Sequence, residues 1–455
     1  MSVAELRQQQ KSYFHQQSTK PYEFRIRMLD TLRAAIQAYE PRLMQALADD
    51  LDKSEFEAFS NEIGLLYSEI SHSKKSLKKW MKAKRVTPDL ALMPSKAWIQ
   101  PEPYGSVLII GPWNYPIQLL LMPLIGAVAA GNTAVIKPSE LAPHCAEVVQ
   151  AMIDEYFDQQ YIAVVQGEAD VTQALIRENF DHIFFTGSTP VGKKIMAAAS
   201  EFLTPVTLEL GGKSPAIVDE TANLGVAARR IAFGKWNNAG QTCVAPDYVL
   251  VHESVAEPFV AALKEATQAF YGHANQSKEY GKIITERHHQ RLQSLLPEPQ
   301  RIVLGGDYDQ ESRYFAPTIT YPAQWQDAAM EDEIFGPILP VLVYQDLQAT
   351  INTLQKRDKP LALYCFSQSQ SVQEQVTQEL SFGGGMINGA LLHVASHQLP
   401  FGGVGPSGMG SYHGKASFDC FSHHKSLVKQ PSNFELSLMY PHKRIATKWL
   451  KKVMR

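Results

Sequence analysis

A thiol, a carboxylate and an amide stand out in this 455-residue chain, each beside glycines and away from regular charge patterns. Cys243 closes the run Asn237-Asn238-Ala239-Gly240-Gln241-Thr242, where a helix should stop and the backbone turn. A cysteine on such a loop is reachable by substrate, and its thiolate is a nucleophile. A lone cysteine is as often a small buried hydrophobe, and local context leaves the two readings even. Glu209 ends the apolar strand around Thr207-Leu208 and is followed by Leu210-Gly211-Gly212. Partial desolvation there would raise its pKa toward the range of a general base; a strand-end glutamate facing water is the plainer alternative. Asn114 lies in Gly111-Pro112-Trp113-Asn114-Tyr115-Pro116, at the carboxyl end of an apolar strand, where ligands of open parallel sheets collect. Its amide could stabilise an oxyanion, or simply shape a turn.

Other candidates are weaker alone. The stretch 184–192, FFTGSTPVG, leads from a strand through Gly187 into a helix containing Gly192. Such a helix N-terminus offers free N–H groups to a pyrophosphate, but the spacing is G-x-x-x-x-G. On that stretch alone a strand-to-helix turn capped by Ser188 or Thr189 is favoured. Lys137-Pro138-Ser139-Glu140 occupies the equivalent loop after the next strand and could grip ribose hydroxyls or be a charged turn. Cys145, Cys365 and Cys420 sit in apolar surroundings and read as buried. No His/Asp pair accompanies Cys243, which argues against a cysteine hydrolase. His288-His289 and His423-His424 do not point one way on a regular element, so they read as solvated, and no metal site is expected.

The elements that must position these residues follow from the hydrophobic pattern. Residues 1–85 are polar and helical, with Leu29, Leu32, Ile36, Leu43, Leu47 and Leu51 at helical spacing. A β-prone, proline-punctuated stretch, 86–103, follows. Strands are then expected at 107–110, 133–136, 161–165 and 182–186, with helices near 116–130, 142–156, 168–178 and 190–201. Short apolar strands alternating with helices imply a parallel sheet with right-handed crossovers. After residues 208–215 the alternation restarts, with strands at 215–219, 248–252, 340–344 and 361–367. The fold class is α/β with two such units.

Composition agrees with this. With 43 Lys+Arg against 46 Asp+Glu, the net charge of −3 lacks the basic face of a nucleic-acid binder. Four cysteines without a CxxC pair fit a reducing cytoplasm better than a disulfide framework. The polar N-terminus has no signal-peptide core. The apolar run 107–131 is interrupted by Gly111, Pro112, Asn114 and Pro116, so it reads as buried core and not as a membrane span. The basic end KWLKKVMR (448–455) reads as a solvated tail, with no membrane anchor.

Taken jointly, GPWNYP (111–116), FTGSTPVG (185–192), LELGGKSP (208–215), NAGQTC (238–243), EIFGP (333–337) and LPFGGVGPSGMGSYHGK (399–415) resemble the aldehyde dehydrogenase superfamily in order and spacing. The short N-terminus and the SGMGSYHGK end resemble its class 3, fatty and aromatic aldehyde branch. The resemblance spans residues 100 to 425 and favours the chemical reading at each motif. It implies NAD(P)-dependent oxidation of medium-chain aliphatic or aromatic aldehydes to carboxylic acids through a cysteine thiohemiacetal and thioester. Cys243 would be the nucleophile, Asn114 with the Cys243 N–H the oxyanion site, and Glu209 the base that activates water.

For the cofactor, the resemblance implies contacts from Trp113, Lys137, Glu140, Gly187, Ser188, Gly192, Leu210, Glu333 and Phe335. Glu140 would favour NAD by meeting a free 2′-hydroxyl, with NADP also possible. The acyl pocket would involve Tyr115, Leu119, Phe233, Thr242, Leu391, Val394 and Phe401. The implied fold is a Rossmann-like NAD-binding domain (1–85 and 104–209), a second α/β catalytic domain (210–398) and small β oligomerisation elements (86–103 and 416–435) of a homodimer. A CoA-acylating dehydrogenase is the nearest rival, and Glu209 argues against it, since a water-activating base competes with thiolysis. A non-catalytic relative is the rival of another class, disfavoured by the intact set Cys243, Glu209, Asn114 and Glu333.

Overall fold

The computed structural model describes residues 2–89, 92–434 and 451. Residues Met1–Trp80 and Pro103–Ser422 form one compact unit, and Met81–Glu102 with the chain from His423 forms another. Both large sheets belong to the first unit. One has six strands in the order Gly408–Met409, Val206–Glu209, His182–Thr186, Ser106–Ile110, Thr133–Lys137, Ile162–Val164. All its pairings are parallel except that of Gly408–Met409 with Val206–Glu209. These strands are apolar along most of their length, with polar residues at their ends, and every residue of Ser106–Ile110, Thr133–Lys137 and His182–Thr186 is buried.

The helix Gln118–Ala130 is buried along its whole length, which confirms the reading of that apolar run as core. Among the described residues no helix is long and apolar enough to cross a membrane. Leu108, Val135, Phe180, Ile183 and Leu208 form the centre of one core cluster. Full burial of each such side chain contributes roughly 1.5–3 kcal/mol.

The other sheet has seven strands in the order Ile302–Leu304, Thr318–Thr320, Ile338–Tyr344, Tyr248–His252, Pro215–Val218, Ala362–Phe366, Gly384–Ile387. Only Ile302–Leu304 runs antiparallel to its neighbour. Its core is built on Ile217, Leu250, Leu342, Leu363 and Val376. The register of the six-stranded sheet sets Ile110 opposite Lys137 and Thr186 opposite Glu209. Its carboxyl-end loops therefore open along one edge. The seven-stranded sheet presents the loops that enter the amino ends of Pro215–Val218, Tyr248–His252 and Ile338–Tyr344.

In the smaller unit, Lys84–Val86 pairs antiparallel with Lys96–Pro103, and Ser422–Lys429 lies on the other side of that strand. Lys425 Nζ reaches Glu102 Oε2 at 2.5 Å. The segment 416–435 is divided between units: the helix Lys415–Cys420 belongs to the larger one, where Phe418 is buried, and most of the following strand belongs to the smaller. Residues 90, 91 and 435, and the basic end 448–455 apart from 451, lie outside the described residues.

Candidate active site

Asn114 sits on the loop after Ser106–Ile110, and Glu209 is the last residue of Val206–Glu209. Cys243 follows a short 3-10 turn, Asn237–Gly240, at the end of the helix Leu224–Trp236. That turn depends on Gly240, whose φ is 74° and where a Cβ would overlap the Gly336 carbonyl. Asn114, Glu209 and Cys243 line one cleft of about 790 Å³ in the larger unit, together with Trp113, Leu119, Gly187, Ser188, Leu210, Glu333 and Phe335.

Each catalytic candidate is held in a low-dielectric setting. Asn114 is 3 % exposed; its Nδ2 donates to the Gln241 carbonyl at 2.9 Å, leaving its second N–H for a ligand. Glu209 is 2 % exposed, and neither of its carboxylate oxygens has a hydrogen-bond partner. Burial pushes its carboxyl well above the usual range. The half-buried Cys243 thiol is pushed up too, first by burial and then by the nearby Glu333 and Glu209 carboxylates. Burial, with Asp247 nearby, pushes Glu333 up to about 8.

Glu333 lies over Gly211, so closely that a Cβ there would overlap its Oε2. The Glu333 segment is clamped by residues that the sequence did not single out. Lys213 donates to the carbonyls of Ala329 (2.7 Å) and Asp332 (2.9 Å) and pairs with Asp247, which accepts the Ile334 N–H at 2.9 Å. Arg291 donates to the Glu333 and Ile334 carbonyls. Lys213 lies inside LELGGKSP, and Asp247 stands four residues beyond Cys243; this proximity was the available signal. Phe335, at φ 47°, presents its ring edge-on to Trp113 with centroids 5.3 Å apart.

The remaining candidates are placed differently. Lys137 is buried, with Nζ 2.5 Å from Glu140 Oε2, and this pair does not line the cleft. Ser188 is the N-cap of the helix Thr189–Ser200 but makes no capping hydrogen bond with its side chain. Gly192 is buried one turn further in, and a Cβ there would come within 2.7 Å of Leu210. Of the acyl-pocket candidates only Leu119 lines the cleft. Tyr115 and Thr242 are joined by their hydroxyls at 2.6 Å, next to Cys243. Phe401 is buried against His413 and Tyr412, Leu391 is buried, and Phe233 and Val394 are half-buried.

The histidine expectation needs correction. His289 is fully buried, with Nε2 at 2.8 Å from the Tyr314 carbonyl and Nδ1 at 2.9 Å from Gln293. His288 lines the cleft and lies against Trp113, with centroids 5.1 Å apart. Their partners are 4 and 25 residues away or across a loop, so pairing by adjacency missed them. His423 and His424 are exposed. Among the described residues no group of three or more His, Cys, Asp or Glu is placed to hold a metal ion.

A family profile, "Aldehyde dehydrogenase family", matches residues 2–427. The 4,4'-diaponeurosporen-aldehyde dehydrogenase of Staphylococcus aureus is 51% identical over 97% of this chain and 96% of its own length. The "Aldehyde dehydrogenase, dimeric NADP-preferring" of the dog, Canis lupus familiaris, is 44% identical over 96% and 97%. A solved structure described as the substrate-bound state of Staphylococcus aureus AldH superposes with a TM-score of 0.98, at 49% identity over the whole of both chains. The chain belongs to the aldehyde dehydrogenase family. It is an NAD(P)-dependent enzyme that oxidises aldehydes to carboxylic acids, as its motifs led one to expect.

Proposed function

We propose that Cys243 is the nucleophile, that Asn114 Nδ2 and the Cys243 N–H hold the oxyanion, and that Glu209 is the base of a hydrolytic, thioester-forming oxidation. One observation carries this reading. Glu209 is buried with both carboxylate oxygens unpartnered, and it lines the same cleft as Cys243 and Asn114.

Cys243 loses its proton to water in the cleft and its sulfur adds to the aldehyde carbon, giving a thiohemiacetal whose oxyanion meets the two N–H donors. A bound nicotinamide supplies the acceptor for the hydride that leaves that carbon. The carbon is then a thioester carbonyl on Cys243. Glu209 removes a proton from water as it adds to the thioester, and the Cys243 sulfur departs as the acid forms. Desolvation makes the Glu209 carboxylate a stronger base than one in water.

The cleft fits such a cofactor. The uncapped start of Thr189–Ser200 offers N–H groups to a pyrophosphate, and Thr186 Oγ1 is buried without a partner at the same edge. Glu333 and Phe335 would hold the nicotinamide ribose, with Trp113, Gly187, Ser188 and Leu210 around it. Lys137, Glu140 and the buried Gly192 complete the cofactor set. Residues 104–209 with the N-terminal helices would form the cofactor domain and 210–398 the catalytic one. Glu140 favours NAD, although the dog relative is named NADP-preferring.

Medium-chain aliphatic or aromatic aldehydes suit an acyl pocket of Tyr115, Leu119, Phe233, Leu391, Val394 and Phe401, with Thr242 beside Cys243. The edge of Ser422–Lys429 and the hairpin 86–103 would serve a homodimer, as the dog relative is named dimeric. Four cysteines, all free, suit the reducing cytoplasm.

The test is NAD(P)H formation at 340 nm from hexanal and benzaldehyde without CoA. Turnover absent in Cys243→Ala, with a burst that stalls in Glu209→Gln, supports the hydrolytic route. Reduction by the wild type only when CoA is added refutes it.

A further inference from the structure

The helix Tyr22–Leu51 ends on Asp52, whose φ of 57° turns the chain sharply. The segment that follows, 53–62, is remote in sequence from every proposed catalytic residue. Four of its polar side chains nevertheless reach the two loops that carry Asn114 and Cys243.

Lys53, 4 % exposed, donates from Nζ to the Asn114 carbonyl at 2.8 Å and pairs with Glu62 Oε1 at 2.5 Å. Glu62 is fully buried, and its Oε2 accepts the backbone N–H groups of Ile117 (2.9 Å) and Gln118 (3.1 Å). Glu57 Oε1 accepts the Asn238 N–H at 3.0 Å, and Asn61 Nδ2 donates to Asn237 Oδ1 at 2.9 Å. Asn238 closes the circuit by donating to the Asn114 carbonyl at 2.9 Å.

Two features show that these contacts hold a geometry that would not hold itself. Ala239 has a φ of 51°, a conformation costly for a residue with a Cβ and kept when the surroundings impose it, and Asn238 before it has a φ of 53°, which asparagine adopts more readily. The segment also runs into a π-helical turn, Phe59–Ile63, on which Asn61 and Glu62 reach different loops. Burying a lysine and a glutamate is expensive, and replacing such a pair with neutral groups of similar volume is often no worse for stability. A requirement on the position of Asn114 explains the pair where stability does not.

We infer that Lys53 and Glu62, helped by Glu57 and Asn61, are positioning residues that fix the oxyanion site by locking the Asn114 loop to the Cys243 loop. This rests on the reading of Asn114 and Cys243 given above. The four residues act through the Asn114 carbonyl, the 117–118 amides and the 237–238 turn.

The experiment uses the full-length double variant Lys53→Met/Glu62→Gln, which removes both charges while the introduced glutamine keeps an acceptor for the 117–118 amides. Its thermal midpoint is expected near that of the wild type. Its kcat for hexanal is expected to fall roughly 10–100-fold, the cost of a misplacement on the order of 1 Å. NAD binding to the protein, read by quenching of tryptophan fluorescence, is expected to stay within about twofold, a readout independent of turnover.

A kcat within about twofold of the wild type, or a fall matched by equal loss of NAD binding, overturns the inference. Asn114→Ala runs alongside: if it keeps wild-type kcat, the reading of the site itself is wrong. If Asn114→Ala is impaired and the double variant is not, the positioning role alone is wrong. Should the double variant not fold, Asn61→Ala decides, since that side chain is only half-buried. A kcat lowered about two- to tenfold at unchanged thermal midpoint supports the inference, and a wild-type kcat overturns it.

Discussion

Replacing Asn114 with alanine tests the proposed chemistry with little structural confusion. The side chain makes one hydrogen bond, from Nδ2 to the Gln241 carbonyl at 2.9 Å. That carbonyl keeps a second donor, Asn238 Nδ2 at 3.1 Å, so the substitution leaves no buried acceptor orphaned. The loop itself is held through the Asn114 backbone carbonyl by Lys53 and Asn238, and those contacts survive the change. Loss of stability should therefore be about 1–2 kcal/mol, one hydrogen bond and a small void, or a few degrees in thermal midpoint. The catalytic loss is of another size. Removing one of two oxyanion donors costs about 10²–10³ in kcat, or ~2.7–4 kcal/mol, because the donor acts on charge present only in the transition state. The KM for hexanal should change far less, since a ground-state carbonyl draws weakly on the donor. Steady-state reduction of NAD at 340 nm, with aldehyde varied up to about ten times its KM, measures both. A kcat within about tenfold of the wild type would refute the oxyanion assignment. So would a large fall in thermal midpoint that accounted for the lost activity.

Other expectations follow from burial and charge. In Glu209→Gln the first turnover should proceed while deacylation stalls, giving a burst of NADH close to one equivalent of enzyme by stopped flow; steady turnover at wild-type rate would remove Glu209 as the base. Because Glu209 and Cys243 must both lose protons that burial favours, kcat should rise with pH above neutrality, and a rate that falls as pH is raised from 7 to 9 would contradict this. In Glu333→Gln the negative charge that most raises the Cys243 thiol is gone, so iodoacetamide alkylation of Cys243 should move to lower pH, further than in Glu209→Gln. Glu57, pushed up to about 7 by burial, binds its proton more tightly folded than unfolded; stability is present below about pH 4.5 and lost as pH rises through about 7. Glu57→Gln removes that loss, worth roughly 3 kcal/mol, so its thermal midpoint should gain on the wild type between pH 5 and pH 8. An equal gap at both pH values would show that the Glu57 environment is misjudged, with Lys53, Glu62 and Glu279 the charges to reconsider.

The strands were readable because parallel sheets covered on both faces leave unbroken apolar runs. His182–Thr186 matches its expected bounds residue for residue, and the expected strand 161–165 shortens only to Ile162–Val164. The motif residues were readable as candidates for a similar local reason, since glycines and a polar break mark where an apolar element ends. Their meeting was not. Asn114, Cys243 and Glu333 stand on three loops and Glu209 on a strand end, spread along the chain, and periodicity cannot say which of these ends converge. Lys53, Glu57 and Glu62 were hidden more deeply. Charged residues on a polar helical segment are ordinarily solvated, and here their partners lie about 55 to 180 residues away. His289 is the same case in miniature, a residue whose burial depends on a carbonyl 25 positions downstream.

The buried charges and the raised acids belong to one arrangement. A carboxylate gains strength as a base when it is poorly solvated, and Glu209, proposed as the base, is buried with no hydrogen-bond partner. The same dryness pushes the Cys243 thiol up, so the proposed nucleophile and the proposed base both hold protons more tightly than they would in water. Donors aimed at the oxyanion offset that cost only if they are already in place, because a dipole that must reorient during the reaction returns part of its stabilisation. Asn114 and the Cys243 N–H arrive from loops of two different sheets, and neither loop holds the other by apolar packing alone. Direct bonds join them, from Asn114 to the Gln241 carbonyl, from Asn238 to the Asn114 carbonyl and between the Tyr115 and Thr242 hydroxyls, and the polar lock, Lys53 on one carbonyl and Glu57 on one amide, braces that seam from a third segment. On this argument the N-terminal helices are part of the catalytic apparatus: the dry site that empowers Glu209 works only as well as those buried polar residues hold its two donors together.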